Sequence, residues 1–385
     1  MNNKLLTKGL EIELFAGSTD GNVVPISNAL SNELKWVTFE PDQRYFEYIT
    51  KPSSNYKELF KDVILPRKKI RETLKDKWAL TLIPGSTIPL EFKKDLVLAK
   101  EHDPYYEYIK TKYGANIITI SMHINFGIEG VKDYFKLLSA LRLDTSLFLA
   151  LSASSPFFDG KVTNYNSYRW QCFPKTPKFV PFFLSHEDYI NWSNEMIEKK
   201  EIYNARNLWT SIRPNGPERP HKINRIEIRI CDFVYDINKA LSIVALIECI
   251  IQSYIENNNW PSVLNQSKSK LDDLSIFLDS QEETVAQNGL DAEVYNWRTD
   301  SKQTAREIIE SIYKNSLPIS TRLGITNYLC PILSILEEGN EATQFLKHYG
   351  KSKSISNTIQ YFLQEFHNTD LKAYDTIKDE VKINL

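Results

Sequence analysis

No Gly-x-x-x-x-Gly-Lys-Ser/Thr run and no Gly-x-Gly-x-x-Gly run occurs anywhere in the chain. A nucleotide bound here would therefore be held through metal ions and arginines rather than in a backbone phosphate cradle. The run Ser152-Ala153-Ser154-Ser155 lacks the Gly-x-Ser-x-Gly of a nucleophile elbow, and His102, His186 and His221 form no constellation with Ser or Cys. Nucleophilic hydrolysis is disfavoured on both counts. The four cysteines, Cys172, Cys231, Cys249 and Cys330, are widely spread with no Cys-x-x-Cys pair, which fits reduced thiols better than a zinc or disulfide framework and predicts buried, small apolar side chains. A formal net charge of -2 supplies no electrostatic case for nucleic acid or an anionic membrane. No apolar run precedes Gly9, and the longest apolar stretch, Leu241 to Ile255, is interrupted by Glu248 and falls short of the roughly 20 residues that span a bilayer. The expectation is a cytoplasmic protein with neither a nucleic-acid nor a membrane partner, of unspecified oligomeric state.

What the chain does have is alternation. Arg225-Ile226-Glu227-Ile228-Arg229-Ile230 places two arginines and a glutamate on one face of a strand and three isoleucines on the other. Charged groups then recur about 7 Å apart along the strand. Gly9-Leu10-Glu11-Ile12-Glu13-Leu14 sets two glutamates against Leu/Ile/Leu, and Thr119-Ile120-Ser121-Met122-His123-Ile124-Asn125 sets Thr/Ser/His/Asn against Ile/Met/Ile. Each strand alone reads as the wet side of an antiparallel sheet. Together their polar positions are carboxylates, arginines, an imidazole and an amide, which are metal and phosphate ligands, so one functional sheet face is the stronger reading.

Apolar residues make up 42% of the 385 and aromatics 12%, enough for a large core. Periodicity predicts a short helix near 27 to 34, a helix over Tyr56 to Leu80 bent or broken at Pro66, and a long buried helix over Val131 to Ser152. Further helices are expected near Glu187 to Lys199, Asp236 to Asn257, 301 to 313 and 327 to 338, with helix to about Gln364 and a frayed tail from Thr369. The polar run Asn257 to Asp272 marks the boundary between a sheet-based core, about 5–257, and a helical part, about 258–385. There is no internal repeat.

Glu11, Glu13, Glu40, Glu47 and Glu227, with His123, are the candidate ligands for a hard cation, since so many carboxylates in one place call for neutralisation. Arg213, Arg225 and Arg229 are the candidate cations for phosphate or substrate. Taken singly, Glu40 and Glu47 fit a surface loop and strand, Arg169 and Arg213 fit salt-bridged loop arginines, and His123 fits a satisfied core histidine.

In sequence order, Gly9-Leu10-Glu11-Ile12-Glu13, Phe39-Glu40-Pro41-Asp42 through Glu47-Tyr48-Ile49-Thr50, Met122-His123-Ile124-Asn125, Leu149 to Phe157, Ile212-Arg213-Pro214-Asn215-Gly216 and Arg225 to Asp232 resemble the glutamate-cysteine ligases, most closely the cyanobacterial-type branch. Thr81 to Thr87, Gly289-Leu290-Asp291-Ala292 and Glu338-Gly339-Asn340 extend the resemblance over nearly the whole chain. It implies one catalytic unit over 1–385 of the α+β class, with a glutamine synthetase-like curved, mainly antiparallel sheet carrying the active site on its concave face and surrounded by helices. It implies ATP and Mg²⁺ as cofactors and L-glutamate and L-cysteine as substrates, joined through a γ-glutamyl phosphate in the first step of glutathione biosynthesis. Carried onto this chain, Glu11, Glu13, Glu40, Glu47 and Glu227 are the implied Mg²⁺ ligands with His123 beside them. Arg229 is the implied phosphate or substrate contact, with Arg213 and Arg225 as its partners. The wider carboxylate-amine ligases often show His-x-His where this chain has His123-Ile124-Asn125, and His-x-Asn fits glutamate-cysteine ligases better. Alternatives are a carboxylate-amine ligase for another amine, guanidino-phosphotransfer on the same fold, and a non-catalytic paralogue serving as a binding module.

Overall fold

The computed structural model describes residues 4–128 and 133–382. Its strands in chain order are β1 (Lys8–Gly17), β2 (Thr38–Phe39), β3 (Tyr45–Ile49), β4 (Thr81–Ile83), β5 (Met122–Gly127), β6 (Phe157–Phe158), β7 (Lys161–Val162), β8 (Ile212–Asn215), β9 (Arg225–Ile228), β10 (Glu293–Asn296) and β11 (Ser301–Thr304). Seven of them form one sheet in the order β2-β3-β1-β5-β9-β8, with β4 also paired to β1. Every pairing in it is antiparallel. Strand β1 is long enough to pair with β3 on one edge and, end to end, with β5 and β4 on the other. β6 and β7 form a small ribbon, as do β10 and β11.

The period of two sorts the sheet into two faces. Leu10, Ile12, Leu14, Phe46, Tyr48, Met122, Ile124, Ile226 and Ile228 are buried on the apolar one. The Tyr56–Trp78 and Ile237–Asn257 helices cover that face: Tyr48 Oη donates to the Val63 carbonyl at 3.1 Å, and Lys8 Nζ donates to Glu248 Oε2 at 2.6 Å. Tyr56 Oη donates to the same Glu248 oxygen at 2.7 Å. Glu248, the one charge in the apolar Leu241 to Ile255 run, is thus a fully buried partner for Lys8 rather than a defect. The Ile237–Asn257 helix is long and apolar enough to cross a membrane, but 72% of its apolar window is buried inside the protein. Residues before and after the 257–272 run, Leu10 and Phe345 among them, belong to one hydrophobic cluster.

Most expected helices form where the periodicity places them, with five differences. The Tyr56–Trp78 helix runs unbroken through Pro66, and the helix expected near 327 to 338 is two, Thr326–Leu329 and Ile332–Glu338, parted at Cys330-Pro331. Of the long helix expected over Val131 to Ser152, Val131 and Lys132 lie outside the described residues, and the rest is two helices, Tyr134–Arg142 and Thr145–Ser152. The break is held by polar anchors that a leucine stripe does not reveal: Thr145 Oγ1 donates to the Arg142 carbonyl, and Arg298 forks onto Asp144 at 2.7 and 2.6 Å. The helix expected at 301 begins at Ala305 after β11, because Thr304 and Glu307 form a capping box there, and it continues to Leu323. The tail is not frayed at Thr369: the Ile355–Asp375 helix is docked by Asp370, which accepts from Arg67 Nη1 at 2.9 Å and Arg71 Nε at 2.7 Å. Cys231 and Cys249 are buried as expected, whereas Cys172 is partly open and Cys330 exposed.

Candidate active site

The polar face is assembled by register. Glu13 lies opposite Glu47 on β3, and Glu11 lies opposite His123 on β5. Glu227 on β9 has Asn125 on one side and Arg213 on the other. Glu40 follows β2, the edge strand next to Glu47. One acceptor atom from each of Glu11, Glu47 and His123 falls within 4.8 Å of the others, and the same holds for Glu13, Glu40 and Glu47. Glu47 belongs to both sets.

Uncompensated, these carboxylates repel. Glu40 is half-buried at its surface, yet burial of its carboxyl and then the charges of Glu13 and Glu11 push it up to about 8. Burial and then Glu40, Glu11 and Glu13 hold Glu47 well above the carboxylate range. In Glu11 burial and Glu227 act upward, but His123 and Arg229 outweigh them and keep it low. The histidine is oriented by its neighbours. Ser121 Oγ donates to Glu13 Oε2 at 2.6 Å, so at 2.9 Å from His123 Nε2 that oxygen is left to accept, which fixes the ring with Nε2 toward Ser121. Its Nδ1 then lies 3.2 Å from Glu11 Oε2 and 3.4 Å from Arg229 Nη1. An imidazole nitrogen against a carboxylate, beside two carboxyls that their surroundings keep from ionising, is a donor set suited to a divalent cation.

The β8–β9 half of the face is cationic. Glu227 accepts from Arg213 Nε at 2.7 Å and Nη2 at 3.0 Å, from Asn215 Nδ2 at 2.7 Å, from Arg219 Nη1 at 3.4 Å and from Arg229 Nη1. Burial pushes its carboxyl up, but Arg213, Arg229 and His123 outweigh burial and hold it well below the usual range. Glu227 stands apart from both carboxylate sets, with both oxygens taken by guanidinium and amide donors, although Oε1 is 3.8 Å from His123 Nδ1. Arg213 is fully engaged, since Nη1 also donates to the Arg206 and Leu208 carbonyls. Arg229 is not: among the described residues its Nε is buried without a partner. The backbone that carries Arg229 is clamped from below by Arg169, whose Nη2 and Nη1 donate to the Arg229 and Ile230 carbonyls, both at 2.9 Å. Asp232 sits beside this clamp and accepts from Ser154 N, Ser155 Oγ and Ser167 Oγ, which places those serines in the framework.

A cavity of about 1080 Å³ opens at the β1 end of the face, where Glu11, Ile49, Asn125, Asn224 and Arg225 are among its walls. Arg225 Nε donates to Asn125 Oδ1 at 3.2 Å, while Asn125 Nδ2 donates to Glu11 Oε1 at 3.1 Å. Asn125 thus links the two halves. The period of two already places Ser121 on this face, and two residues of the site escaped the sequence reading. Asn215 lies at an alternating position with Arg213, so the same period could have found it. Arg219 lies in the loop between β8 and β9, where no periodicity points to it.

A model of glutamate-cysteine ligase family 2 matches residues 7–363. A Solibacter usitatus protein named "Putative glutamate--cysteine ligase 2" is 27% identical over 261 residues, 67% of this chain and 65% of that protein. The matched part thus spans just under two thirds of that relative. Among solved structures, the chain is similar to a bifunctional glutathione synthetase from Pasteurella multocida, with a TM-score of 0.74 at 16% identity over 97% of this chain and 53% of that one. It is also similar to a glutamate-cysteine ligase from Francisella tularensis solved in complex with AMP, with a TM-score of 0.69 at 13% identity over 99% and 94%. At such identities the structural likeness shows a shared fold.

Proposed function

The chain belongs to glutamate-cysteine ligase family 2, and we propose that it joins the γ-carboxylate of L-glutamate to the amine of L-cysteine at the expense of ATP, the first step of glutathione biosynthesis. The observation that carries this reading is the division of one sheet face into two carboxylate sets sharing Glu47 and a row of arginines on Glu227, beside a cavity large enough for a nucleotide.

In the proposed sequence a γ-carboxylate oxygen attacks the γ-phosphorus of ATP, the bond to the bridging oxygen breaks, and ADP leaves. The amine nitrogen then attacks the acyl carbon, the carbon–oxygen bond to phosphate breaks, and the nitrogen gives up a proton as the amide forms. Both steps spread negative charge over oxygens, so oriented donors rather than a protein nucleophile carry the chemistry. The cavity takes the nucleotide, with Arg225 at its wall and Arg229 turning its unpartnered Nε to a phosphate or carboxylate oxygen. Glu11, Glu13, Glu40, Glu47 and His123 would hold Mg²⁺, and Glu227 would join them by exchanging a guanidinium for the cation. Bound there, Mg²⁺ would neutralise the carboxylates and the charge on the phosphate oxygens. Ser121 holds the His123 ring with Nδ1 on the side of that set, and Arg169 fixes the backbone from which Arg229 projects.

The test is purified protein with ATP, Mg²⁺, glutamate and cysteine, assayed for γ-glutamylcysteine and for phosphate release that requires both amino acids. Folded protein yielding no dipeptide overturns the reading. A heavier preference for another amine in competition would make it a carboxylate-amine ligase of different acceptor. Phosphoryl transfer without free phosphate would make it a guanidino-type kinase, and ligand binding without turnover a binding module.

A further inference from the structure

Arg213, Arg219 and Arg229 converge on the single carboxylate of Glu227. All three side chains are largely withdrawn from water, with 6, 11 and 10% of their surface exposed. Three guanidinium charges against one carboxylate leave a surplus of two on this part of the face. Buried charge of one sign needs a counter-charge. The nearby acidic residues would give theirs to the cations proposed above, which leaves the surplus for an anion.

The three arginines differ in how many donors they have left. Arg213 is spent on Glu227 and two backbone carbonyls. Arg229 is already assigned to the reacting phosphate or carboxylate oxygens. Among the described residues Arg219 has one partner, the 3.4 Å contact from Nη1 to Glu227 Oε2, so the rest of its planar fork is uncommitted. Burial and then repulsion from Arg213 push it down to about 10, which leaves it charged at neutral pH. It is also held in place. Glu218 and Lys222, its neighbours in the loop, are tied by a backbone bridge and a 2.6 Å ion pair, and the Pro220 carbonyl lies 2.8 Å from His186 Nε2. The loop therefore presents a fixed, charged fork over the polar face with most of its donors open.

A planar fork of this kind matches a carboxylate with two parallel hydrogen bonds. We propose that Arg219 is a specificity-determining residue that reads the α-carboxylate of an amino-acid substrate. The inference rests on the ligase reading above and adds to it the group by which an amino acid is told from a simple amine or amide. The α-carboxylate could belong to the donor acid or to the acceptor amine, and the recognition chemistry is the same.

The experiment compares kcat/KM for matched pairs on the wild type, Arg219→Gln and Arg219→Lys. One pair is cysteine and cysteinamide with glutamate as donor. The other is glutamate and its α-amide, isoglutamine, with cysteine as acceptor. Loss of a charge-assisted bidentate contact is expected to cost roughly 10–100-fold. The wild type should favour the free carboxylate by that factor in one pair, which identifies the source. Arg219→Gln should reduce that preference to near unity while the amide's own kcat/KM stays within a few-fold, and Arg219→Lys should keep part of it. A residue that merely supports the loop would slow both members of a pair alike and leave their ratio intact. An unchanged ratio in both pairs overturns the proposal, as does a wild type without preference in either, a measurement that needs no variant. Absence of any dipeptide in the wild type would instead overturn the ligase reading.

Discussion

Glu47 is the residue on which the two carboxylate sets meet, and its position makes opposite demands on stability and on cation binding. Without a cation it adds to a repulsion that already keeps Glu40 and Glu47 from ionising normally. Glu47→Gln keeps the shape and removes the cost of holding a buried carboxyl protonated at neutral pH, so in EDTA the variant should melt higher than the wild type, a gain of about 1 kcal/mol. The same substitution removes an oxygen ligand from both sets, so Mg²⁺ should raise its melting temperature much less than it raises that of the wild type. Thermal melts with and without Mg²⁺ check both signs, and a variant that Mg²⁺ stabilises as strongly as wild type would remove Glu47 from the proposed ligands. Arg229 makes a separate demand, on rate. Arg229→Ala should lower turnover by about 10²–10³-fold, as expected when a donor aimed at developing oxyanion charge is lost. Near-normal phosphate release would show that its open Nε serves nothing chemical. The alternation of Glu11 with Glu13 and of Glu227 with Arg229 was legible in the chain because a strand converts a period of two into one face. That both oxygens of Glu227 are taken by guanidinium and amide donors was not legible. That fact depends on Arg219 and Asn215 arriving from the neighbouring strand and loop.

Single polar residues anchor whole elements here. Asp370 fastens the Ile355–Asp375 helix to Arg67 and Arg71 of the helix behind the sheet, and Arg67 also donates to the Tyr235 carbonyl at 2.7 Å. Asp370→Ala strands two buried guanidinium groups and should cost about 3–5 kcal/mol. Urea titration measures this, and a loss under 1 kcal/mol would mean the helix docks by its apolar side alone. Glu341 joins two further elements. Its Oε1 accepts from Tyr235 N at 2.9 Å and Asp236 N at 3.4 Å, at the head of the Ile237–Asn257 helix, while burial pushes the carboxyl up to about 8. The unfolded chain ionises this group near its ordinary 4.5. Its contribution to stability is therefore full below about 4.5 and is lost as pH rises toward 8. Glu341→Gln should remove that decline, with the gap between variant and wild type widening across this window by on the order of a few kcal/mol. A gap that stays constant from pH 5 to 8 refutes the assignment. Periodicity located most of these helices and missed what ends or ties them. The break at Asp144 and the docking of Asp370 depend on Arg298, Arg67 and Arg71, partners far away in the chain. The capping box at Thr304 and Glu307 is different, being local and readable from spacing alone.

Across the whole molecule the sheet separates two environments. One face is sealed by helices around the buried Lys8–Glu248 pair, and the other holds carboxylates at one end and arginines at the other. Alternation alone conveys that separation, but not how the two ends depend on each other. Glu11 belongs to a carboxylate set and also walls the cavity proposed for the nucleotide. A triphosphate entering there meets uncompensated negative charge unless cations are in place, whereas with cations bound the arginine surplus draws it in. Mg²⁺ and ATP should therefore bind with positive coupling, and by linkage each should strengthen the other equally. Couplings of this kind usually change affinity about 5–150-fold, so replacing Mg²⁺ with EDTA should raise the Kd for ATP by at least about tenfold. Glu47→Gln removes a cation ligand but no charge, since Glu47 is not ionised without a cation, so its Kd in EDTA should match that of the wild type while its gain from Mg²⁺ shrinks. Calorimetric titration of ATP into both proteins, with and without Mg²⁺, gives all four constants. Equal wild-type affinity in the two conditions would mean that the carboxylate sets and the cavity do not act as one site, whatever their distance on the sheet.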